Sequence, residues 1–179
     1  MRKLDQFLRR FGRARDGATA VEFALIAIPF ATLLFAFIEL GLVFLVQTTL
    51  DNATEDAARQ IRTGEMQVAK GDATSFKTAV CDEVSWFGAG CSGNLKVDVR
   101  VFTSFTNQTP TNLVKNGSFD DSSVEFTPGC GGDIVLVRTF YQWPLLTPLL
   151  SSALVNLSGN KRLISSTVTF RNEPFTQCS

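Results

Sequence analysis

The hydrophobic pattern places one long apolar stretch near the N-terminus and a mixed pattern after it. From Phe23 to Val46 the chain runs for 24 residues with Glu39 as its single ionisable side chain. At 1.5 Å of rise per residue, a helix of that length spans about 36 Å, which exceeds the ~30 Å hydrocarbon core of a bilayer. The pattern therefore predicts a transmembrane helix.

The helical pattern continues beyond this stretch. No glycine or proline follows Val46 until Gly64, so one continuous helix over residues 18–64 would be about 70 Å long. Its outer part is amphipathic, because apolar residues recur at spacings of three and four, namely Leu50, Ala53, Ala57 and Ile61. Pro29 lacks an amide hydrogen and is expected to kink the helix, and its use as a hinge is left open.

The remaining residues predict a compact head. A second helix is expected over residues 74–87, capped by Asp72 or Thr74. Strands are expected at residues 94–105, 133–143 and 163–173. The first of these strands alternates apolar and polar residues, so its polar side chains are expected to face solvent: Lys96, Asp98 and Arg100.

The connections between these strands differ in character. The polar connection over residues 106–133 has a short pairing expected around Val124–Phe126, and residues 144–160 read as a short helix on the sheet that ends at Gly159. The head is expected to bury Trp86, Tyr141, Trp143 and several phenylalanines. The predicted fold class is α+β, with a small antiparallel sheet. Three segments result: a leader at 1–17, a helix at 18–64 and a head at 65–179.

Charge gives the chain a direction in the membrane. The total is balanced, with 17 basic and 17 acidic residues, but residues 1–16 hold six basic against two acidic side chains. The first basic residues after the span are Arg59 and Arg62. The positive-inside rule therefore places the N-terminus in the cytoplasm and the head outside. A neutral total without a basic stripe argues against a nucleic-acid partner.

The four cysteines agree with an exported head, because all of them follow the span. An even count in an oxidising compartment indicates two disulfides. Of three possible pairings we favour Cys81–Cys91, which closes a short local loop, and Cys130–Cys178, which would fasten the last strand. Free buried thiols are the alternative.

The composition argues against an enzyme. The chain has no histidine, which excludes Ser-His-Asp and Cys-His nucleophiles and all histidine-ligated metals. The glycine-rich run at residues 88–93 follows a predicted helix and precedes a strand, the reverse of a dinucleotide-binding turn. We therefore expect no catalytic residue, no cofactor and no metal.

The junction between the leader and the span carries the most informative motif. The basic leader ends at Gly17, and Glu22 lies at the rim of the apolar run. A signal peptidase site would follow the apolar segment, whereas the small residues at 18–20 precede it. Cleavage after Gly17 would instead leave the helix on the mature protein, with Ala18 first and Glu22 fifth.

That cleavage would give Glu22 a use. An acid unpaired among apolar groups costs about 2.5–3.5 kcal/mol on insertion scales, so Glu22 needs a positive partner. In a bundle of such helices, the natural partner is the new α-amine of a neighbouring subunit. The alternatives are open for both acids of the segment: Glu22 as a rim residue reaching into the headgroups, and Glu39 as either a snorkelling side chain or an intersubunit contact.

A basic leader, a glycine, a small residue, an acid at mature position five and a long apolar helix together resemble the type IV prepilins. The stretch GATAVEFALIAIPFATLLFAFIELG is similar to the TadE-like pseudopilins of tight-adherence (Flp-type) pilus systems. The resemblance is strong over about residues 12–64 and weaker in YQWPLLTPLL and STVTFRNEPF. Major Flp pilins have almost no head, so the large head here favours a minor pseudopilin.

The resemblance implies a non-enzymatic role in assembling or priming a pilus. It implies cutting by the prepilin peptidase between Gly17 and Ala18, and a part for Glu22 in maturation or docking. The implied partners are that peptidase, other pilins or pseudopilins, the inner-membrane assembly platform and membrane lipid. The implied location is the inner membrane, with the head periplasmic or extracellular. The alternative is an uncleaved, membrane-anchored extracytoplasmic binding or sensor domain.

Overall fold

A computed structural model describes residues 17–87, 90–106, 112–147 and 154–176. The chain divides into two compact units, which meet in sequence between Leu40 and Gly41. The first unit is the N-terminal part of a helix, and the second holds the rest of that helix and the head. The fold is α+β, as the sequence predicts.

The first helix, α1, spans Ala18–Arg62 without interruption and includes Pro29. It ends because Gly64 adopts a left-handed conformation, with φ at +84°. A Cβ at Gly64 would also lie 2.8 Å from the ring of Phe175, so glycine is needed there for both reasons. The predicted continuous helix over residues 18–64 is therefore confirmed to within two residues.

Short helices follow α1. The one-turn helix α2 spans Glu65–Val68, and α3 spans Ala73–Glu83. Asp72 caps α3 as predicted, since its carboxylate accepts a hydrogen bond from the backbone N–H of Ser75 at 2.8 Å. That bond and the Ser75 hydroxyl hold the pKa of Asp72 below its usual value. The helix is shorter than predicted, because Ser85–Phe87 form a separate 3-10 turn.

The sheet has three antiparallel strands. A four-residue helix, α4 (Cys91–Asn94), leads into β1 (Leu95–Phe102). The central strand is the fourth in chain order, β4 (Ile134–Pro144), and the last strand, β5 (Lys161–Arg171), pairs with its other edge. All three predicted strands are confirmed, with ends shifted by two or three residues at most.

A small hairpin interrupts the polar connection. Strands β2 (Val114–Lys115) and β3 (Ser118–Phe119) are joined by Asn116 and Gly117, both with positive φ, as a two-residue hairpin turn requires. Lys115 and the Ser122 hydroxyl donate hydrogen bonds to Asp120 and lower its pKa to about 2. The sequence analysis missed this hairpin. It did predict a pairing near Val124–Phe126, and Phe126 forms a parallel bridge with Val99.

One face of the sheet packs against the outer part of α1. The apolar residues predicted for that helix face are all buried, and they meet the odd-numbered residues of β1 and β4. The small residues Ala53 and Ala57 are among the buried ones. At the centre, the hydroxyls of Thr54 and Thr139 lie 2.6 Å apart in a hydrogen bond.

The other face is also largely covered on β1 and β4, which the alternating pattern of β1 did not predict. The hairpin covers it, with the rings of Phe119 and Phe140 5.3 Å apart and Leu113 buried. The expectation that Asp98 faces solvent is therefore wrong, since its side chain has no exposure. Both faces of this small sheet contribute to the core.

One further expectation for the head is wrong. Trp86 is not buried, since 45% of it is exposed, although Tyr141 is. The short helix expected within residues 144–160 stays a prediction: Pro144 ends β4, Leu154 is helical, and residues 158–160 form a turn into β5. The middle of that segment, residues 148–153, lies outside the described residues.

Candidate processing and assembly site

The structure places the predicted cleavage junction at the start of α1. Gly17 lies immediately before the helix and Ala18 is its first residue, and both are exposed. A side chain added at Gly17 would meet nothing within 4 Å. The fold itself therefore leaves the peptide bond between Gly17 and Ala18 open to another protein. The basic leader, residues 1–16, lies outside the described residues.

Glu22 is the fifth residue of α1 and is exposed. Residues four apart on a helix lie on the same face, so the amine of a chain beginning at Ala18 and the Glu22 carboxylate would share one side. Helical geometry brings these two residues together as the sequence predicts.

The surroundings of Glu22 are apolar and uncovered. Val21, Phe23, Leu25 and Ile26 are each between 61% and 72% exposed. A shallow apolar groove of about 460 Å³ is lined by Ala20, Val21, Ala24, Leu25, Ile28 and Pro29. Among the described residues, α1 is the one helix long and apolar enough to cross a membrane. A surface this apolar needs lipid or other apolar helices around it.

Glu39 differs from the prediction that its carboxylate reaches the headgroups. Only 2% of the residue is exposed, and its side chain has a polar or electrostatic partner within the chain. Pro29 lies inside α1, which continues through it. The intersubunit role considered for Glu39 and the hinge role considered for Pro29 stay predictions.

The first predicted disulfide is confirmed. Cys81, in the last turn of α3, is bonded to Cys91, the first residue of α4. Cys130 is also disulfide-bonded. Cys178 lies outside the described residues, so the Cys130–Cys178 pairing stays a prediction.

Replacing both Cys81 and Cys91 with serine is expected to lower the free energy of unfolding by about 2–4 kcal/mol, because the unfolded chain then loses a closed loop. Denaturant unfolding of the full chain in detergent, followed by tryptophan fluorescence, measures this. The reference is the unsubstituted protein under the same oxidising conditions, since reductant would also break the disulfide of Cys130. Equal stability of variant and wild type under oxidising conditions would contradict the prediction.

The sequence analysis missed a buried charge cluster in the head. Asp98 accepts hydrogen bonds from Arg138 Nη2 at 2.7 Å and from Arg100 Nε at 3.0 Å. The backbone N–H of Glu125 completes the set at 2.9 Å. Asp98 and Arg138 face each other directly in the register of β1 and β4. The cluster is fully engaged in holding strands and loop together, so we assign it no chemistry.

No metal centre competes with this site: within the described ranges, no group of three or more His, Cys, Asp or Glu side chains is placed to hold a metal ion. The candidate functional residues in the described part of the chain are therefore the exposed Gly17, Ala18 and Glu22 at the start of α1.

Comparison with known proteins agrees with the sequence motif. Residues 17–59 match the family model described as TadE-like protein. Curated proteins and solved structures gave no match. The matched residues begin at Gly17 and include Ala18, Glu22 and most of α1. The resemblance predicted from the sequence is thus confirmed, and the chain carries a TadE-like segment at residues 17–59.

Proposed function

We propose that this protein is a minor pseudopilin that acts in the assembly or priming of a tight-adherence (Flp-type) pilus. The observation that carries the proposal is the exposed Gly17–Ala18 junction followed by Glu22, at the start of a bare apolar helix inside a TadE-like segment. Nothing else in the described structure competes with that site as a centre of function.

Processing is the first step of the proposal. The prepilin peptidase cuts between Gly17 and Ala18, which removes the basic leader and creates an α-amine on Ala18. Exposure of both residues and the open space around Gly17 support access to this bond. The apolar helix stays on the product, so the mature protein remains anchored in the membrane, with its head outside.

Docking is the second step. After cleavage, the Glu22 carboxylate and the new amine lie one helical turn apart on an apolar surface. In a bundle, the carboxylate of one subunit pairs with the amine of its neighbour, which sets the axial position of one helix against the next. The exposed apolar side chains around Glu22 then contact neighbouring helices in place of lipid. Both surroundings are apolar, so the hydrophobic effect does not oppose this change.

The head has the features of a structural module. Both faces of β1 and β4 contribute buried residues, and the buried Asp98 and Arg138 are paired. We propose that it contacts other pilins or pseudopilins and the inner-membrane assembly platform, and that the protein performs no reaction of its own.

Gly17→Leu is expected to block trimming, because only a small residue fits the peptidase before the cut. N-terminal sequencing of membrane-extracted protein from cells with the peptidase should start at Ala18 for wild type and at Met1 for the variant. Gly41→Leu is the matched control, since a side chain there also meets nothing within 4 Å.

An intact Met1 in the wild-type protein, in a host that trims other prepilins, would reject the proposal. It would favour the alternative of an uncleaved, membrane-anchored extracytoplasmic binding or sensor domain. Trimming of the Gly17→Leu variant at the wild-type rate would reject the role of Gly17 while leaving the family resemblance intact.

A further inference from the structure

An aromatic cluster lies at one end of the head. Trp86 packs edge-on against Phe87 with ring centroids 4.7 Å apart, and lies 6.5 Å from Trp143. Phe87 in turn lies 4.7 Å from the buried Tyr141. Trp86, Phe87 and Trp143 form what we call the aromatic patch. Its outermost ring, Trp86, remains 45% exposed, although a side chain of this size is ordinarily well covered.

Contacts along α1 define which end of the head this is. Gln47 Nε2 donates to the carbonyl of Ser165, in the first half of β5, at 3.1 Å. At the other end of α1, the carbonyl of Arg62 accepts from the N–H of Glu173, just after β5. Strand β5 therefore runs in the same direction as α1, and its first residues lie towards the part of the helix that precedes Gln47.

The aromatic patch lies at that same end. Trp143 is paired with Arg162, the second residue of β5, and Phe87 and Trp143 pack against the same core as Val43 and Val46 of α1. The apolar stretch of α1 thus leaves the head beside the patch. Phe44 and Leu45, in that stretch, are 73% and 50% exposed, so the patch continues a surface that is already apolar.

We infer that the aromatic patch rests in the headgroup layer of the bilayer that α1 spans, with the Trp86 ring inserted at the boundary between headgroups and acyl chains. Indole rings favour that layer, because one edge is polar and the faces are apolar. Leu146, which follows β4 and is 68% exposed, lies at the same end and adds apolar area. The inference rests on the membrane anchor in the proposed function.

Two features hold Trp86 in place for this role. The Cys81–Cys91 disulfide closes the loop that carries Trp86 and Phe87, and the Phe87 ring is wedged between Trp86 and Tyr141. The ring is therefore presented by a braced loop. Other exposed apolar side chains of the head are Val68, Val101 and Phe105. Val101 lies near the end of β1 and Phe105 follows it, at the opposite end of the strand, where Phe102 pairs with Ile134.

The chain's two tryptophans are Trp86 and Trp143, so intrinsic fluorescence reports on the patch alone. Full-length protein carrying Trp143→Phe, reconstituted into phosphatidylcholine vesicles, isolates Trp86. We expect its emission to lose intensity when the lipid carries bromine atoms near the headgroups, and to lose less with bromine near the chain ends. Dissolved acrylamide should quench it weakly. The matched control is Phe105→Trp in a Trp86→Phe, Trp143→Phe background, which should be quenched by acrylamide and not by lipid bromine.

The failure of this inference is separable from failure of the anchor. Release of the protein from vesicles by alkaline carbonate would overturn the anchor and this inference together. Retention in the vesicles with Trp86 unaffected by brominated lipid would overturn this inference alone. Trp86 could be shielded from acrylamide at a high protein-to-lipid ratio and quenched by it at a low ratio. That result would show that a second copy of the protein covers the aromatic patch, and it would also overturn the inference.

Discussion

Asp98→Ala is expected to lower the free energy of unfolding of the head by about 3–5 kcal/mol. The carboxylate is fully buried, and it is the counter-charge for Arg138, whose side chain is 7% exposed. Truncating Asp98 removes a buried carboxylate from that guanidinium, and it leaves the N–H of Glu125 without its acceptor. Both losses act in the same direction. Denaturant unfolding of the full chain in detergent, followed by tryptophan fluorescence, measures the change.

Two control variants separate burial from charge. Asp121 forms a 3.0 Å ion pair with Lys96 but is 61% exposed, so Asp121→Ala is expected to leave stability unchanged within error. Combining Asp98→Leu with Arg138→Met removes both buried charges and is expected to be more stable than Asp98→Ala. An Asp98→Ala protein as stable as Asp121→Ala would show that the buried cluster does not hold the sheet to its covering loop.

Glu22→Ala is expected to leave the protein in the membrane and remove most of it from pili. Insertion should persist because the substitution makes the segment more apolar. Docking should fail because the amine of the neighbouring subunit loses its counter-charge in apolar surroundings, where an unpaired charge costs about 2.5–3.5 kcal/mol, roughly a hundredfold in an equilibrium. Immunoblots of sheared pili and of membranes, compared at equal expression, measure the two effects.

The matched control is Glu55→Ala, because Glu55 is an exposed acid on the same helix beyond the apolar stretch. It should reach pili at the wild-type level. Glu22→Asp tests geometry, since it keeps the charge and shortens its reach. Wild-type amounts of the Glu22→Ala protein in sheared pili would count against the docking role while leaving the processing step untouched.

Local signals were sufficient for most of the secondary structure. The outer part of helix α1 is predicted by the absence of glycine and proline between Gly41 and Gly64. Helix α3 is predicted by its capping residue, Asp72. Strands β4 and β5 follow from their apolar and β-branched residues. Each of these signals lies within the element that it predicts, so no knowledge of tertiary structure was needed.

The wrong predictions concern which parts of the chain pack over a strand or loop. Alternation in β1 shows which residues share a face, but it does not show that a polar connection folds back over that face and buries Asp98. The hairpin had one local signal, Asn116-Gly117, which is a strong turn dipeptide. The exposure of Trp86 depends on where its loop lies in the fold, and residue type alone predicts burial.

The site divides in the same way. Gly17, Ala18 and Glu22 were identified from the motif, and in the structure they are exposed at the start of α1. For Glu39 the sequence left open a snorkelling side chain or an intersubunit contact, and its exposure of only 2% was not predicted from any local pattern. The roles proposed for Gly17 and Glu22 involve other molecules, so they are decided by the experiments above.

The outer part of α1 belongs to the hydrophobic core of the head, and its Leu50 and Ile61 are fully buried. Any pull along the helix axis reaches the sheet in shear, across the whole helix–sheet contact at once, with the Thr54–Thr139 hydrogen bond at its centre. A load arranged this way is shared among many side chains instead of peeling them apart one by one. A pull on the outer part of α1 is therefore passed directly to the sheet of the head.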